Sequence, residues 1–463
     1  MMLPAGLDLD ADISALRGAT YNPRRIGEED LDALADSLRT LGLVKPLIVR
    51  GDLLVAGHQR TKALRRLGVT RAAVYRLPAA TTLYDEIRFN QLHNGTDLDA
   101  GDEAATIPAG LSPGWHVIEG QGVKANLRGK LAVVRREIAL LIGRYGPWGG
   151  IVATTSGEVI HAAQYAIAAR LTRSPLTVHV VAPENETAAR GLLGRSYGVF
   201  DYGHLKRATY IQTLAQPYRL RGKAAGNSRL YDKSVLPWLE ANPSARVLDF
   251  GSGQGDYAAA LRRRGFNVHD VELFRRAGGK MALDRGAVHR MIDRLCEDLA
   301  THGPYDAVVC DCVLNSVDCL EAERAVAVLL NAFTKPGGPL FVSSRPRETR
   351  DTVDNRTIMA EADSSRRGVE FIDANGFSAL YRQGHWFYQK FHDRPGFEAL
   401  LSSAGFQADH YRRFLTTFQV RATKVRDLPA ADVVAACEYE FNLPLGDAGP
   451  IGRAADVRKA LGC

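Results

Sequence analysis

The residue that most directly suggests chemistry is Asp249. It follows the apolar run Arg246-Val247-Leu248 and is followed in turn by Gly251, Gly253 and Gly255. A carboxylate at that strand end would face a ligand cation rather than a pyrophosphate. The glycines allow backbone to approach a ligand closely, because glycine alone takes positive φ without steric cost. The spacing is G-x-G-x-G, not the G-x-G-x-x-G of dinucleotide sites, and alone it says little. Asp249 could instead merely cap the following helix. A second strand, Phe266–Glu272, ends in Glu272 with Asp270 two residues earlier on the same face. An acid there can accept both hydroxyls of a ribose. Glu272 is nearer the strand end and ranks first, with Asp270 the alternative. Asp311 closes a further apolar run and Asn315 follows it; the two would face a substrate, or else serve as loop caps and turn formers.

A separate constellation stands near the start of the chain. Gly57-His58-Gln59-Arg60 opens a helix, and Asn22-Pro23-Arg24-Arg25 forms a turn able to face it. Free N–H groups at a helix start suit a phosphate, and a guanidinium matches one in shape and charge. His58 could orient that phosphate or simply fill a turn.

These residues need elements to hold them. A helix with Leu31, Leu34, Ala35, Leu38 and Leu41 on one face stops at Gly42; strands 46–50 and 53–56 follow, then helix 61–67, Gly68, and a strand over 72–76. The order recurs: a helix with Leu127, Leu131, Val134, Ile138 and Leu141, strands 151–153 and 158–161, helix 162–171 and strand 176–181. In that register Gly57, His58, Gln59 and Arg60 face Ala162, Ala163, Gln164 and Tyr165, which points to a degenerate internal duplication. Any strand–turn–strand–helix–strand stretch can resemble another, and that alternative stays open. A basic linker with Arg219, Arg221 and Lys223 leads into a third region where strands and helices alternate from Ala245 to Lys424. Residues 425–463 read as a helical tail, a loose extension interrupted by Leu443–Pro450. His385, Trp386, Tyr388, Lys390 and His392 mix aromatics and bases, as a surface for base stacking or as a half-buried strand.

Composition narrows the class. Over 463 residues, 46% hydrophobic and 24% charged are globular values, which excludes a fibrous or disordered protein. No run approaches the ~18 apolar residues of a membrane helix, and the acidic start MMLPAGLDLDADIS is no signal peptide. The protein is expected to be soluble and cytoplasmic. A net charge of +7 permits a nucleic-acid partner without demanding one. The six cysteines lack zinc-ribbon spacing and read as buried free thiols.

The third region resembles the class I S-adenosylmethionine-dependent methyltransferases over roughly 228–424. The likeness is carried by Val247-Leu-Asp-Phe-Gly-Ser-Gly-Gln-Gly255, Glu272, Lys335-Pro-Gly-Gly338 and a closing strand pair near 407–412 and 417–423. It implies a Rossmann-like seven-stranded α/β sheet and S-adenosylmethionine held by Asp249, Gly251, Gly253, Gly255 and Glu272. Val313-Leu-Asn-Ser-Val317 and Phe387-Tyr-Gln-Lys-Phe-His392 are similar to methyltransferases associated with DNA phosphorothioation clusters. The chain lacks the D/N-P-P-Y/W tetrapeptide of amino-methylating DNA enzymes and the Pro-Cys of cytosine-C5 enzymes.

The first hundred residues resemble the ParB/sulfiredoxin superfamily through Asn22–Arg25, Lys45-Pro46, Ala56–Ala63 and Asp85–Gln91. That likeness implies an α+β domain binding a nucleotide at Gly57–Arg60. The expected organisation is a ParB-like domain over 1–105, a degenerate repeat over 106–216, a basic linker over 217–227, a methyltransferase domain over 228–424 and a tail over 425–463. The expected substrate is a nucleic acid or nucleotide, with Asp311 and Asn315 at the acceptor.

Overall fold

A computed structural model of the chain describes all residues except 1–4, 96–103, 126–131, 196, 204–227, 278–281, 348–355, 359–368, 383–384, 415–416 and 446–448. The basic linker, with Arg219, Arg221 and Lys223, lies outside the described residues. Contacts divide the chain into two units, residues 1–205 with 353–374, and 206–352 with 375–463.

In the first unit, β1 (Leu7–Asp12), α1 (Glu28–Leu41), β2 (Leu47–Arg50), β3 (Leu53–Ala56), α2 (His58–Arg66) and β4 (Arg71–Arg76) follow one another, and α3 (Leu83–Gly95) closes the run. The sheet order is β1-β4-β2-β3, with the short strand Arg17–Gly18 added beyond β3. The second half repeats the plan with β5 (Gly114–Glu119), α4 (Ala132–Tyr145), β6 (Gly150–Thr154), β7 (Val159–His161), α5 (Ala163–Thr172) and β8 (Pro175–Val181), in the order β7-β6-β8-β5, and α6 (Glu186–Gly194) follows β8. Strand directions match as well. β2 runs parallel to β4 and antiparallel to β3, as β6 does to β8 and β7. The outer strands β1 and β5 are both antiparallel to their neighbours.

One backbone feature recurs in the two halves where the side chains differ. Gly57, before α2, is left-handed at φ 95°, and Ala162, before α5, is left-handed at φ 63°. Gly68 (φ 73°) and Arg173 (φ 53°) are paired in the same way after the two helices. A left-handed residue other than glycine costs about 1–2 kcal/mol. We therefore expect Arg173→Gly, at an exposed site, to raise stability by about 1 kcal/mol, read as a higher denaturant midpoint at unchanged m. At Gly57 the freedom is also steric: a Cβ would lie 2.6 Å from Leu47 Cδ2. One core joins the two halves, with Ile48, Val55, Phe89, Ile138, Trp148, Ile151 and Tyr165 all buried in it.

The second unit contains a six-stranded sheet, formed from β9 (Arg246–Phe250), β10 (Asn267–Val271), β11 (Ala307–Asp311), β12 (Pro339–Ser344), β15 (Phe406–Arg413) and β16 (Phe418–Lys424). A two-stranded hairpin, β13 (Phe377–Arg382) and β14 (His385–Lys390), stands apart from it. The sheet order is β10-β9-β11-β12-β16-β15. β9, β10, β11 and β12 are parallel, and β16 is antiparallel to both its neighbours. Among the described residues the sheet has six strands where seven are expected. Between Val271 and α8 (Arg285–His302) the described chain forms a turn and an isolated Arg276–Leu283 bridge, too short a span for another helix and strand. α7 (Asp256–Arg263) follows the glycine turn, α9 (Leu320–Phe333) links β11 to β12, and α10 (Arg394–Ser403) leads into β15.

The tail is also corrected. α11 (Ala430–Glu440) packs on α9, and α12 (Ala454–Leu461) on α8 and α11. Cys437, Phe441, Leu443, Ile451 and Val457 are buried. The tail is an integral layer of the second unit, because the Leu443–Pro450 stretch places apolar residues inward. Among the cysteines only Cys310 and Cys437 are buried; the other four are partly exposed, and all six are free. Among the described residues no helix is long and apolar enough to cross a membrane.

Candidate functional site

Parallel strands leave their carboxyl ends on one edge of the sheet, and ligands of open α/β folds bind there. Asp249 in β9, Glu272 just past β10 and Asp311 ending β11 all reach that edge. Asp249 pairs with Asp270 across β9 and β10, which fixes the two acids side by side. Between β9 and α7, Gly251, Gly253 and Gly255 have φ of 77°, 63° and 73°. Their surroundings differ. A Cβ on Gly251 would lie 2.2 Å from Val313 Cγ2, whereas one on Gly253 would meet nothing within 4 Å. Gly251 is thus needed for packing, and Gly253 borders open space.

Asp249 is 1% exposed. Its Oδ1 accepts the Tyr231 hydroxyl at 2.7 Å, and its Oδ2 has no hydrogen-bond partner. Burial pushes its pKa up to about 8; the Tyr231 hydrogen bond opposes this, and the charges of Asp270, Asp311 and Glu272 add to it. Tyr231 stacks on Tyr257 with ring centroids 4.1 Å apart. Sequence reading missed Tyr231, since its spacing from Asp249 carries no periodic signal.

Glu272 is held by two backbone donors, Gly253 N–H to Oε2 and Phe274 N–H to Oε1, each at 2.8 Å. Both carboxylate oxygens are thereby fixed in orientation at the glycine turn. Asp270 is differently placed: Arg262 Nη1 lies 2.7 Å from its Oδ1. The guanidinium engages Asp270, while Glu272 faces the glycine loop, an arrangement that favours Glu272 for a ribose.

On β11, Ser343 of the neighbouring β12 donates its hydroxyl to Asp311 Oδ1 and accepts the Cys312 N–H at 3.0 Å. Cys312 is left-handed at φ 61°. Such strain persists only where surroundings enforce it, and it turns the chain so that Asn315 follows Asp311 along the same edge. Asn315 is 4% exposed and its Oδ1 has no hydrogen-bond partner.

A cluster that sequence reading did not assemble lies beside this edge. Glu323 of α9 accepts from Lys390 of β14 and bonds His392 Nε2, while His392 Nδ1 lies 2.7 Å from Ser344 Oγ. All three ionisable side chains are under a tenth exposed. Burial holds His392 below its ordinary pKa. Burial alone would raise the Glu323 pKa, but the His392 hydrogen bond and the Lys390 charge outweigh it and hold it low. Lys390 and His392 thus belong neither to a base-stacking surface nor to an ordinary half-buried strand.

The Gly57–Arg60 set is built in the first unit. His58 Nε2 accepts the Ala19 N–H at 3.0 Å, and burial lowers its pKa to about 4, so it carries no charge near pH 7. Gln59 Nε2 donates to Arg24 O at 2.7 Å. Arg60 Nη1 donates to Lys45 O at 2.8 Å and Nη2 lies 3.0 Å from His93 Nε2. Arg24 donates to Tyr197 O at 2.8 Å and lies over the Phe200 ring, and Arg25 is 3.9 Å from Asp201. Arg60 is thus held by Lys45 O and His93, and Gln59 and Arg24 join two segments. At the aligned position Tyr165 does similar work, its hydroxyl accepting the Trp148 and Gly149 N–H groups at 2.8 Å.

Comparison with known proteins agrees with this division. Residues 224–411 match the family described as methyltransferase domain, and residues 9–86 match the ParB N-terminal domain. A ubiquinone biosynthesis O-methyltransferase of Xanthomonas campestris is 38% identical over 113 residues, 23% of this chain and 46% of that one. A protein-L-isoaspartate O-methyltransferase of Chlorobium phaeobacteroides is 31% identical over 104 residues, 22% of this chain and 42% of its own length. The chain spans less than half the length of either relative. Among solved structures, the CcbJ methyltransferase from Streptomyces caelestis is aligned over its full length and 49% of this chain, at 13% identity and a TM-score of 0.33, too low to carry an argument. The chain thus carries a methyltransferase domain of the class I α/β fold and, ahead of it, a ParB N-terminal domain.

The residues of the second unit fit S-adenosylmethionine. A buried carboxylate oxygen lacks a partner at Asp249, the Gly253 turn is open, and the Glu272 carboxylate is fixed beside that turn.

Proposed function

We propose that the chain is an S-adenosylmethionine-dependent methyltransferase acting on a nucleic acid or nucleotide. The observation that carries the methyl-transfer reading is the gathering of Asp249, Glu272, Asp311 and Asn315 at the carboxyl ends of three adjacent parallel strands. When bound, the cofactor supplies an electrophilic methyl group. Asp249 would balance its positive charge, and Glu272 would accept its ribose hydroxyls. Asp311, steadied by Ser343, and Asn315 would orient the acceptor. Displacement at a methyl group requires alignment above all, and holding the acceptor in line is the main contribution of these residues. A base is optional for an acceptor already nucleophilic.

The nucleic-acid part is supported by the ParB N-terminal domain and by the likeness of Val313–Val317 and Phe387–His392 to phosphorothioation-associated methyltransferases. The ParB-like domain would engage nucleotide or target. We read 106–216 as a degenerate second copy, on the matching strand order and the left-handed Gly57/Ala162 and Gly68/Arg173 pairs. A small-molecule acceptor is the second reading, because the Xanthomonas relative is named for ubiquinone biosynthesis. Labelled methyl transfer from S-adenosylmethionine to DNA, RNA, nucleotides and a phenolic small molecule in parallel separates these. Label in nucleic acid or nucleotide is expected. Label in the phenol alone contradicts the acceptor, and label in none contradicts the activity.

A further inference from the structure

The half of the sheet away from Asp249 carries a row of arginines to the same edge. Asp311 pairs with Ser343 across β11 and β12, so the end of β12 lies at the site. Ser344 pairs with Phe418 of β16, and Phe418 with Arg413, the last residue of β15. The register thus brings Arg412 and Arg413 to the edge where Asp311 ends. Arg345 follows Ser344 there, and Arg394 opens α10. Two of the arginines on this side lie on aromatic rings: Arg394 is 4.6 Å from the Tyr411 centroid and Arg229 is 4.8 Å from that of Phe414.

Arg229, Arg394, Arg412 and Arg413 are exposed. Acidic compensation is thin. Glu398 pairs with Arg394 at 2.8 Å, Asp393 is taken up in capping Gly396, and among the described residues Arg229 and Arg412 make no ion pair. β15 is also an edge strand. Charge on an edge strand can serve to prevent sheet-to-sheet association. That role explains neither the aromatic partners nor the arginines from three other segments, at residues 229, 345 and 394. A guanidinium matches phosphate bidentately, and an aromatic ring such as Phe414 takes a stacked base irrespective of sequence; Tyr411, itself stacked on Phe418, holds the Arg394 guanidinium at the surface.

We propose that Arg229, Arg394, Arg412 and Arg413, with Tyr411 and Phe414, form a binding surface for the sugar-phosphate backbone of a single-stranded nucleic acid, leading it toward Asp311 and Asn315. The proposal rests on the nucleic-acid reading above and names the surface that reading requires.

The test uses the full chain and fluorescein-labelled single-stranded DNA and RNA, read by anisotropy against salt. Replacing Arg229, Arg412 and Arg413 together by glutamine should weaken binding at least tenfold. It should also make the salt slope shallower by about 2, since each lost single-strand phosphate contact removes about 0.7. Arg412→Lys with Arg413→Lys should retain most of the affinity, and calorimetric S-adenosylmethionine affinity should not move in any variant. Wild-type affinity and slope in the glutamine variant would overturn the surface while leaving a nucleic-acid acceptor standing. A wild-type chain that binds neither oligonucleotide, or binds only acidic peptides or anionic vesicles, would overturn the surface. If labelled methyl then also reached only a small acceptor, the nucleic-acid reading would fall with it.

Discussion

Asp249→Asn is expected to weaken S-adenosylmethionine binding by about a hundredfold while making the cofactor-free protein more stable in alkali. The first effect follows from removing a buried charge partner, a loss of about 2–5 kcal/mol, of which about 2.7 kcal/mol is already a hundredfold. The second follows from linkage. The Asp249 pKa rises from 3.8 to about 8 on folding, so the folded state holds the proton more tightly. Its contribution to stability is fully present below the unfolded value, falls as pH rises from about 4 to about 8, and is level above. Asparagine removes that fall. The wild-type melting temperature should therefore decline between about pH 6 and 8 relative to the variant. A cation favours the ionised carboxylate, so cofactor binding below pH 8 should release a proton and tighten as pH rises toward 8. Calorimetry in buffers of different ionisation enthalpy measures the release. Pairing with Tyr231 alone, without a ligand role for Asp249, would give pH-independent affinity.

The second large effect is expected at Glu323. Glu323→Gln leaves Lys390 buried without its carboxylate, and breaking such a pair costs about 3–5 kcal/mol. Replacing Glu323 and Lys390 together by apolar residues, Glu323→Leu with Lys390→Met, should restore part of the loss, since the Lys390 charge is no longer stranded and only the His392 Nε2 contact is lost. The Glu323 pKa is held low in the folded chain, so its contribution is present above the unfolded value of 4.5 and is lost as pH falls through the folded one. Denaturant melts of the two variants near neutral pH measure this. Equal losses in the single and double variants would contradict a coupled pair. Because Lys390 and His392 stand at the end of the β13–β14 hairpin, beside Asn315 and its turn, the single variant should lose transfer to the acceptor more than cofactor affinity.

What the sequence made legible was local. Asp249, the glycines, Glu272 and Asp311 are read from contiguous patterns, as is the closing pair, expected near 407–412 and 417–423 and found at 406–413 and 418–424. The repeat in the first unit was legible through element order, while its backbone signature, left-handed Ala162 and Arg173, was not, because neither residue type signals positive φ. The missing strand was not legible because motif order does not count strands between motifs. The tail was misjudged because glycine and proline in Leu443–Pro450 read as loose, whereas burial of Leu443, Leu445 and Ile451 ties it down. Tyr231 on Asp249 and Glu323 on Lys390 and His392 join residues 18, 67 and 69 positions apart. No local period reaches that far. The contacts of Arg60 with Lys45 O and His93, 15 and 33 positions away, were illegible for the same reason.

The proposed hold of the second unit on S-adenosylmethionine runs through Asp249 and Glu272. Titration calorimetry of the full chain with S-adenosylmethionine tests it most directly. Saturable binding at one site is expected, competed by S-adenosylhomocysteine and weakened at least tenfold by Glu272→Gln and by Asp249→Asn alike. Heat that shows no saturable binding, or affinity indifferent to both substitutions, would contradict it.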